Sequence, residues 1–302
     1  MKAIKLASVF AVTAVAAAIS TATFAAEPVF SGNAGVEYVT NDNGNDDLSG
    51  TNEGEVEISV DTGIVYAEIE IATSGGDEGT KIGMEKLYVK QGAVSFGRFD
   101  GSVSTGSFMG MDEYYGGVDL KTSGDTDNTG IRYKVTSELT VAIEATESVD
   151  AVTAVADDAA TAADESVTGV AAQDSDIGFA LSYVKDFGGF KAGISGGSVG
   201  DANAVNVGVQ TVAGPATLSL NYGSGVKGVT GGTDVELMTA SVAFAATDAL
   251  TLTLEFSSDL EAENDGTYFV GEYAAGDLVY YVKNYAGDLG SELTKVGVKA
   301  NF

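Results

Sequence analysis

The feature that most constrains this chain is a two-residue rhythm running through most of its length. Val65, Ala67, Ile69 and Ile71 interleave with Tyr66, Glu68 and Glu70. Leu250, Leu252, Leu254 and Phe256 interleave with Thr251, Thr253 and Glu255, and Ile131, Tyr133 and Val135 with Arg132 and Lys134. Successive side chains of a β-strand point to opposite faces, so the rhythm describes strands with one apolar and one polar face. Sixteen such segments can be marked, from 29–39 to 292–302. Tight turns such as Gln91-Gly92, Ser137-Glu138 and Ala275-Gly276 alternate with longer Gly/Asp/Ser-rich loops at 40–52, 74–80, 101–127, 147–175, 199–202, 224–233, 258–265 and 287–291. An even strand count, with short turns at one end and longer loops at the other, is the pattern of an antiparallel transmembrane β-barrel.

The first 25 residues stand apart. Lys2 and Lys5 precede an apolar run from Leu6 to Ile19, and small residues follow at Thr23 and Ala25. That order is the grammar of a secretory signal peptide, and the run is shorter than the roughly 20 residues a membrane helix needs. Cleavage is expected after Ala25, leaving residues 26–302 as one barrel domain. An export signal with no later apolar stretch of helical span leaves a soluble secreted protein or an outer-membrane barrel. A soluble sandwich would hide its apolar faces within a smaller domain. Tyr38, Phe99, Tyr133, Tyr183, Tyr222, Phe256, Phe269 and Phe302 sit near strand ends, where a barrel carries its interfacial girdles.

Composition removes whole classes of function. The chain has no His and no Cys, which excludes Ser–His and Cys–His nucleophiles and the usual zinc, haem and iron–sulfur ligands. The expectation is no catalytic residue, no metal site and no cofactor. With 44 Asp and Glu against 15 Lys and Arg, net −29, the chain lacks the clustered cations that bind nucleic acid. Losing the leader removes two lysines and takes the net charge to −31.

A bilayer requires the outward face to be apolar, because a lipid-facing charge costs up to about 2–4 kcal/mol at mid-depth. Charged strand residues are therefore assigned to the lumen. The acids are Glu37, Glu55, Glu57, Glu68, Glu70, Glu144, Glu236, Glu255 and Glu272, and the bases Arg132, Lys134, Lys191 and Lys283. The segment from Asp150 to Asp176 is low in complexity, with no Lys or Arg, and reads as an exposed loop with room for a short Ala-rich helix.

Four motifs, in order, resemble the general porins of Gram-negative outer membranes. Val94-Ser95-Phe96-Gly97-Arg98-Phe99-Asp100-Gly101 is similar to the segment preceding their pore-constricting third loop. Glu113-Tyr114-Tyr115-Gly116-Gly117-Val118-Asp119 resembles a stretch of that loop, without its proline and with one residue extra. Asn128 to Tyr133 resembles the start of the next strand. The last strand ends on Phe302 with Ala300, Val298 and Val296 on the same face, like the assembly signal of outer-membrane proteins. The acidity resembles porins of marine gamma-proteobacteria.

The resemblance implies a sixteen-stranded barrel with its third loop folded into the pore. It implies a homotrimer in the outer membrane that contacts the lipid bilayer and lipopolysaccharide and is assembled by the barrel-assembly machinery through its last strand. Arg98 and Arg132, with Lys134, would be wall bases, and Asp112, Glu113 and Asp119 the loop acids facing them. Glu55, Glu57, Glu68, Glu70 and Glu255 would make the rest of the wall acidic, and the channel cation-selective. Passive diffusion of small hydrophilic solutes is the expected function. A sugar-specific channel, and a structural or adhesive barrel whose loops meet a host or phage, stay open as alternatives.

Overall fold

The computed structural model describes residues 27–41, 47–49, 54–73, 80–106, 117–120, 127–146, 148, 172, 174–228, 232–290 and 292–302. Seventeen strand segments form one antiparallel sheet. They are β1 (Val29–Asn41), β2 (Asp47–Ser49), β3 (Gly54–Asp61), β4 (Val65–Thr73), β5 (Thr80–Gln91), β6 (Val94–Asp100), β7 (Asp127–Lys134), β8 (Leu139–Ala145) and β9 (Ile177–Asp186). The second half comprises β10 (Phe190–Val199), β11 (Ala202–Ala213), β12 (Ala216–Lys227), β13 (Thr233–Ala245), β14 (Leu250–Asp259), β15 (Asn264–Ala275), β16 (Leu278–Gly287) and β17 (Leu293–Asn301). From β3 onward each segment pairs with the next, and β17 pairs back with β1 from Asn33↔Asn301 to Asn41↔Leu293. The sheet is therefore closed. β2 and β3 pair with successive stretches of β1, at 37–39 and 29–34, and share one wall position. The wall thus has sixteen strands, as the alternation implies.

Facing follows from the pleat. Leu254 is 51% exposed while its neighbour Glu255 is 1% exposed, an inversion of the usual rule for a folded protein. Outward rows include Val205, Val207 and Val209 on β11 and Ile131 and Tyr133 on β7, all exposed. Inward rows carry Asn206, Asn221, Thr239, Ser257 and Glu144, all buried. Phe302 shares the outward face with Val296, and its backbone exchanges two 3.0 Å hydrogen bonds with Gly32, which extends the closing ladder to the last residue. The register slips once, between Glu68↔Lys86 and Ile69↔Met84, leaving Glu85 as an extra residue in β5. Such a bulge lets the strand on either side keep its apolar row outward.

Two loops are shorter than the sequence pattern indicates. β10 and β11 are joined by Gly200 and Asp201 alone, and β12 continues to Lys227 instead of ending near 223. Alternation fades there because strands that project past the hydrocarbon band need not be apolar on either side, yet their ladders continue. The long connection after β6 and the one after β8 remain. The Ala-rich segment 150–171 lies outside the described residues, and the described residues contain no helix.

Facing makes a direct prediction. Leu254→Arg, on the outward row of β14, should lower the folding stability in lipid vesicles by about 2–4 kcal/mol if it lies near mid-depth. Thr253→Arg, one residue away and lumenal, should fold at near wild-type urea concentrations. Equal effects of the two would contradict the assigned faces.

Candidate functional site: the lumen and its inserted loop

The loop between β6 and β7 enters the barrel and lies against one side of its inner wall. Three of its residues, Val103, Val118 and Leu120, are buried against Ala142, Ala180, Val199, Ala202, Ala204, Val235 and Leu237. These wall residues belong to strands between β8 and β13. The lumen face here carries small side chains and glycines, so loop backbone can approach closely. A Cβ at Gly223 would come 2.6 Å from Val118 N, and one at Gly197 would come 2.8 Å from Leu120 Cδ2. Removing those apolar side chains from water favours the inserted position.

Hydrogen bonds fix the loop's register on the wall. The Asn206 side chain acts like a strand partner: its Oδ1 accepts from Val118 N and its Nδ2 donates to Val118 O, both at 2.8 Å. Ser195 Oγ donates to Thr105 O at 2.6 Å. Glu144, 1% exposed, accepts from Ser102 Oγ at 2.6 Å and from Val103 N at 2.9 Å. Within the loop, Asp119 Oδ1 accepts from Thr105 Oγ1 at 3.0 Å and from Gly106 N at 2.8 Å, tying the two limbs together. Gly106 and Gly117 meet at the neck, where a Cβ on Gly106 would lie 2.3 Å from Gly117 C. The ten residues 107–116 beyond this neck, which include Asp112 and Glu113, lie outside the described residues.

Cations and aromatic rings line another sector of the wall. Tyr66, Tyr88 and Phe99 stack in sequence, with centroids 5.1 Å and 4.9 Å apart. Lys90 Nζ sits 5.4 Å from the Tyr66 ring at one end. The Arg132 guanidinium covers Phe99 at 4.1 Å at the other, and its Nη2 donates to the Gly101 carbonyl where the loop begins. Lys86 pairs with Glu68, which also accepts from the Tyr66 hydroxyl, and its Nζ is 3.6 Å from Asp100. A cavity of about 280 Å³ between Asp100, Ser104, Thr105 and Asp119 adjoins one of about 270 Å³ between Lys86, Phe99, Asp100 and Arg132. Loop and wall thus share Asp100.

Most sequence-selected positions lie on the lumen face, with two exceptions. Arg132 and Lys134 share the lumenal row of β7, opposite Ala142 and Thr140. Glu55 and Glu57 sit opposite Asn33 and Ser31, and Ser31 Oγ donates to Glu57 at 3.0 Å. Glu57 also faces Glu70 directly across β3 and β4. Arg98 is different. It pairs with Leu87 and Thr129, on the face opposite Phe99 and Arg132, and so is not a lumen base. Glu236 also points outward, paired with Ser224, and accepts from Tyr222 Oη at 2.6 Å. Both lie near the long-loop end of their strands, where an outward polar group escapes the mid-bilayer penalty. Glu144 was legible as a lumenal acid but not as the loop's anchor, since its partners lie 41 and 42 residues away.

No protein-family model and no curated protein sequence matches the chain. Solved structures do. Salmonella typhi OmpF, in complex with daunomycin, superposes with a TM-score of 0.61 at 12% identity, over 92% of this chain and 98% of that one. The fold is that of the general porins. A mutant of the Rh. blastica porin gives 0.62 at 15% identity, over 91% of this chain and 100% of its own. OmpT, an outer membrane protein of Vibrio cholerae in its trimer form, gives 0.59 at 13% identity, over 92% and 100%. This porin-like barrel matches them in fold at identities where sequence comparison is silent.

The loop seat generates a test. Asn206→Leu removes both bonds to Val118 and leaves that buried peptide unpaired, a cost of about 1–3 kcal/mol. The expected result is a less fixed loop, read as more open-channel current noise and faster proteolysis at Lys121 in the folded barrel. Wild-type noise and cleavage would show that Asn206 does not hold the loop.

Proposed function

We propose that this protein is an outer-membrane channel through which small hydrophilic solutes and ions diffuse passively, with a preference for cations. The observation that supports it best is the closed wall with an apolar outside, a polar inside and a loop anchored inside the lumen by Asn206, Glu144 and Ser195. A sixteen-stranded barrel is wide enough to keep water inside, and an inserted loop sets the narrowest passage. On this reading residues 1–25 are removed on export. The barrel stands in the outer membrane as a homotrimer, like the trimeric Vibrio cholerae relative in fold, with lipopolysaccharide around its outer leaflet. Phe302, Ala300, Val298 and Val296 form the edge that the barrel-assembly machinery reads.

Cation preference follows from charge placement. Glu55, Glu57, Glu70 and Glu255 lie on the lumen face, and the mature chain has 44 acids. Excess fixed negative charge in a confined, low-dielectric passage raises the local concentration of counter-ions. Asp112 and Glu113, with Asp119 at the loop's neck, are the acids proposed to face Arg132, Lys134 and Lys86. Arg98 has no part in this pairing.

Planar-bilayer recording under a KCl gradient tests the proposal. Stepwise conductance in groups of three, with a reversal potential favouring K⁺, is the expected result. Asp112→Asn with Glu113→Gln should move that potential toward zero. A folded, heat-modifiable protein with no conductance would exclude a channel and favour a structural or adhesive barrel.

A further inference from the structure

The last two strands gather three lysines around one tyrosine on the lumen face. Lys283 of β16 stands directly opposite Lys295 of β17, and Tyr281 directly opposite Gly297. Lys299 follows four residues after Lys295 on the same face. The Tyr281 side chain occupies the space over Gly297, where a Cβ would lie 2.3 Å from Cζ and from the hydroxyl oxygen. So placed, the ring has Lys283 Nζ 5.4 Å and Lys299 Nζ 5.8 Å from its centroid. Its hydroxyl donates to Glu37 Oε2 at 2.9 Å, while Glu37 Oε1 is 3.0 Å from Lys295 Nζ. Both oxygens of that buried carboxylate are therefore engaged across the closure between β17 and β1.

The lysines are not balanced. Glu37 answers Lys295, and Glu272, opposite Tyr281 on β15, adds a second carboxylate to this face. Among the described residues, neither Lys283 nor Lys299 has a carboxylate within ion-pair distance. Elsewhere on the wall, Lys86 pairs with Glu68 and Lys90 with Asp61. Like charges directly opposite on one face of a sheet repel, as Lys283 and Lys295 do here. In a chain with nearly three acids for each base, three lysines against two carboxylates on this face reverse the overall balance of charge.

We propose that Lys283 and Lys299, held astride Tyr281, form an anion-accepting station on the lumen wall for small solutes bearing carboxylate or phosphate groups. Each ammonium offers up to three donors, and charge-assisted hydrogen bonds to an oxyanion are the stronger class. The bound anion offsets the positive charge that Lys283 and Lys299 bring to this face. The station gives an otherwise cation-attracting lumen a separate track for acidic solutes. It rests on the channel reading given above, and two readouts separate their fates.

Citrate is the probe. In planar bilayers it should block wild-type current in discrete events. K283Q with K299Q should raise the half-blocking concentration at least about tenfold, corresponding to roughly 1.4 kcal/mol. K185Q, on the outward face, should leave it unchanged. Equal block in wild type and the double variant, or conducting channels with no block, would overturn the station while leaving the channel intact. The second readout needs no conduction. Citrate should protect Lys283 and Lys299 of the folded protein in detergent from an amine-acetylating reagent, scored by mass spectrometry against Lys185. Equal labelling with and without citrate overturns the station. Protection without conductance upholds it and overturns the channel.

Discussion

Everything in this structure depends on the impossibility of leaving backbone N–H and C=O groups unpaired in lipid. A strand has no internal partner for them, so each must find two neighbours, and the first strand must find the last. The ladder from Asn33↔Asn301 to Asn41↔Leu293, extended by the pair between Gly32 and Phe302, meets that demand. Once the sheet closes, the inversion of faces is unavoidable. Leu254 and Val207 can point at lipid because the wall between them is already satisfied, and Glu255 and Asn206 can point inward because the lumen is polar.

An inverted barrel has little conventional core. The buried apolar cluster here lies inside the lumen, between the inserted loop and β8 to β13. That location explains the distribution of small residues. Ala142, Ala180, Ala202 and Ala204 leave room for a second layer of chain, and Gly197 and Gly223 bring backbone against backbone. The hydrophobic effect supplies attraction, but it is non-directional. Register comes from Asn206, Ser195 and Glu144, whose polar groups have defined partners on the loop. The wall from β16 through β1 to β7 holds Tyr281, Glu37, Lys86 and Arg132. The two sides of the lumen are thus chemically distinct: one built mainly of small side chains under the loop, the other aromatic and charged.

Arg98 and Glu236 show where charge-based facing fails. The rule that a strand charge points inward follows from the hydrocarbon interior, and it loses force near the strand ends. Arg98 lies beside Leu87, two residues before β6 ends, and Glu236 is paired with Tyr222 near the start of β13. Parity already set Arg98 with Val94 and Phe96, so the alternation was the better guide there. The loop ends at 199–202 and 224–233 misled for a related reason. Outside the bilayer neither face need be apolar, so hydrogen-bonded strand continues where the rhythm has stopped.

What the sequence determined alone was the set of strands, their facing at mid-depth, their number and the order of turn and loop. All follow from local alternation and the length of a bilayer-crossing strand. The tertiary structure decided what depends on residues far apart in the chain. It set Glu144 against Ser102 and Val103, Asn206 against Val118, and Tyr281 against Glu37, at separations of 41 to 244 residues. Alternation says which way each side chain points, but the curvature of the closed wall and the path of the loop decide what it meets.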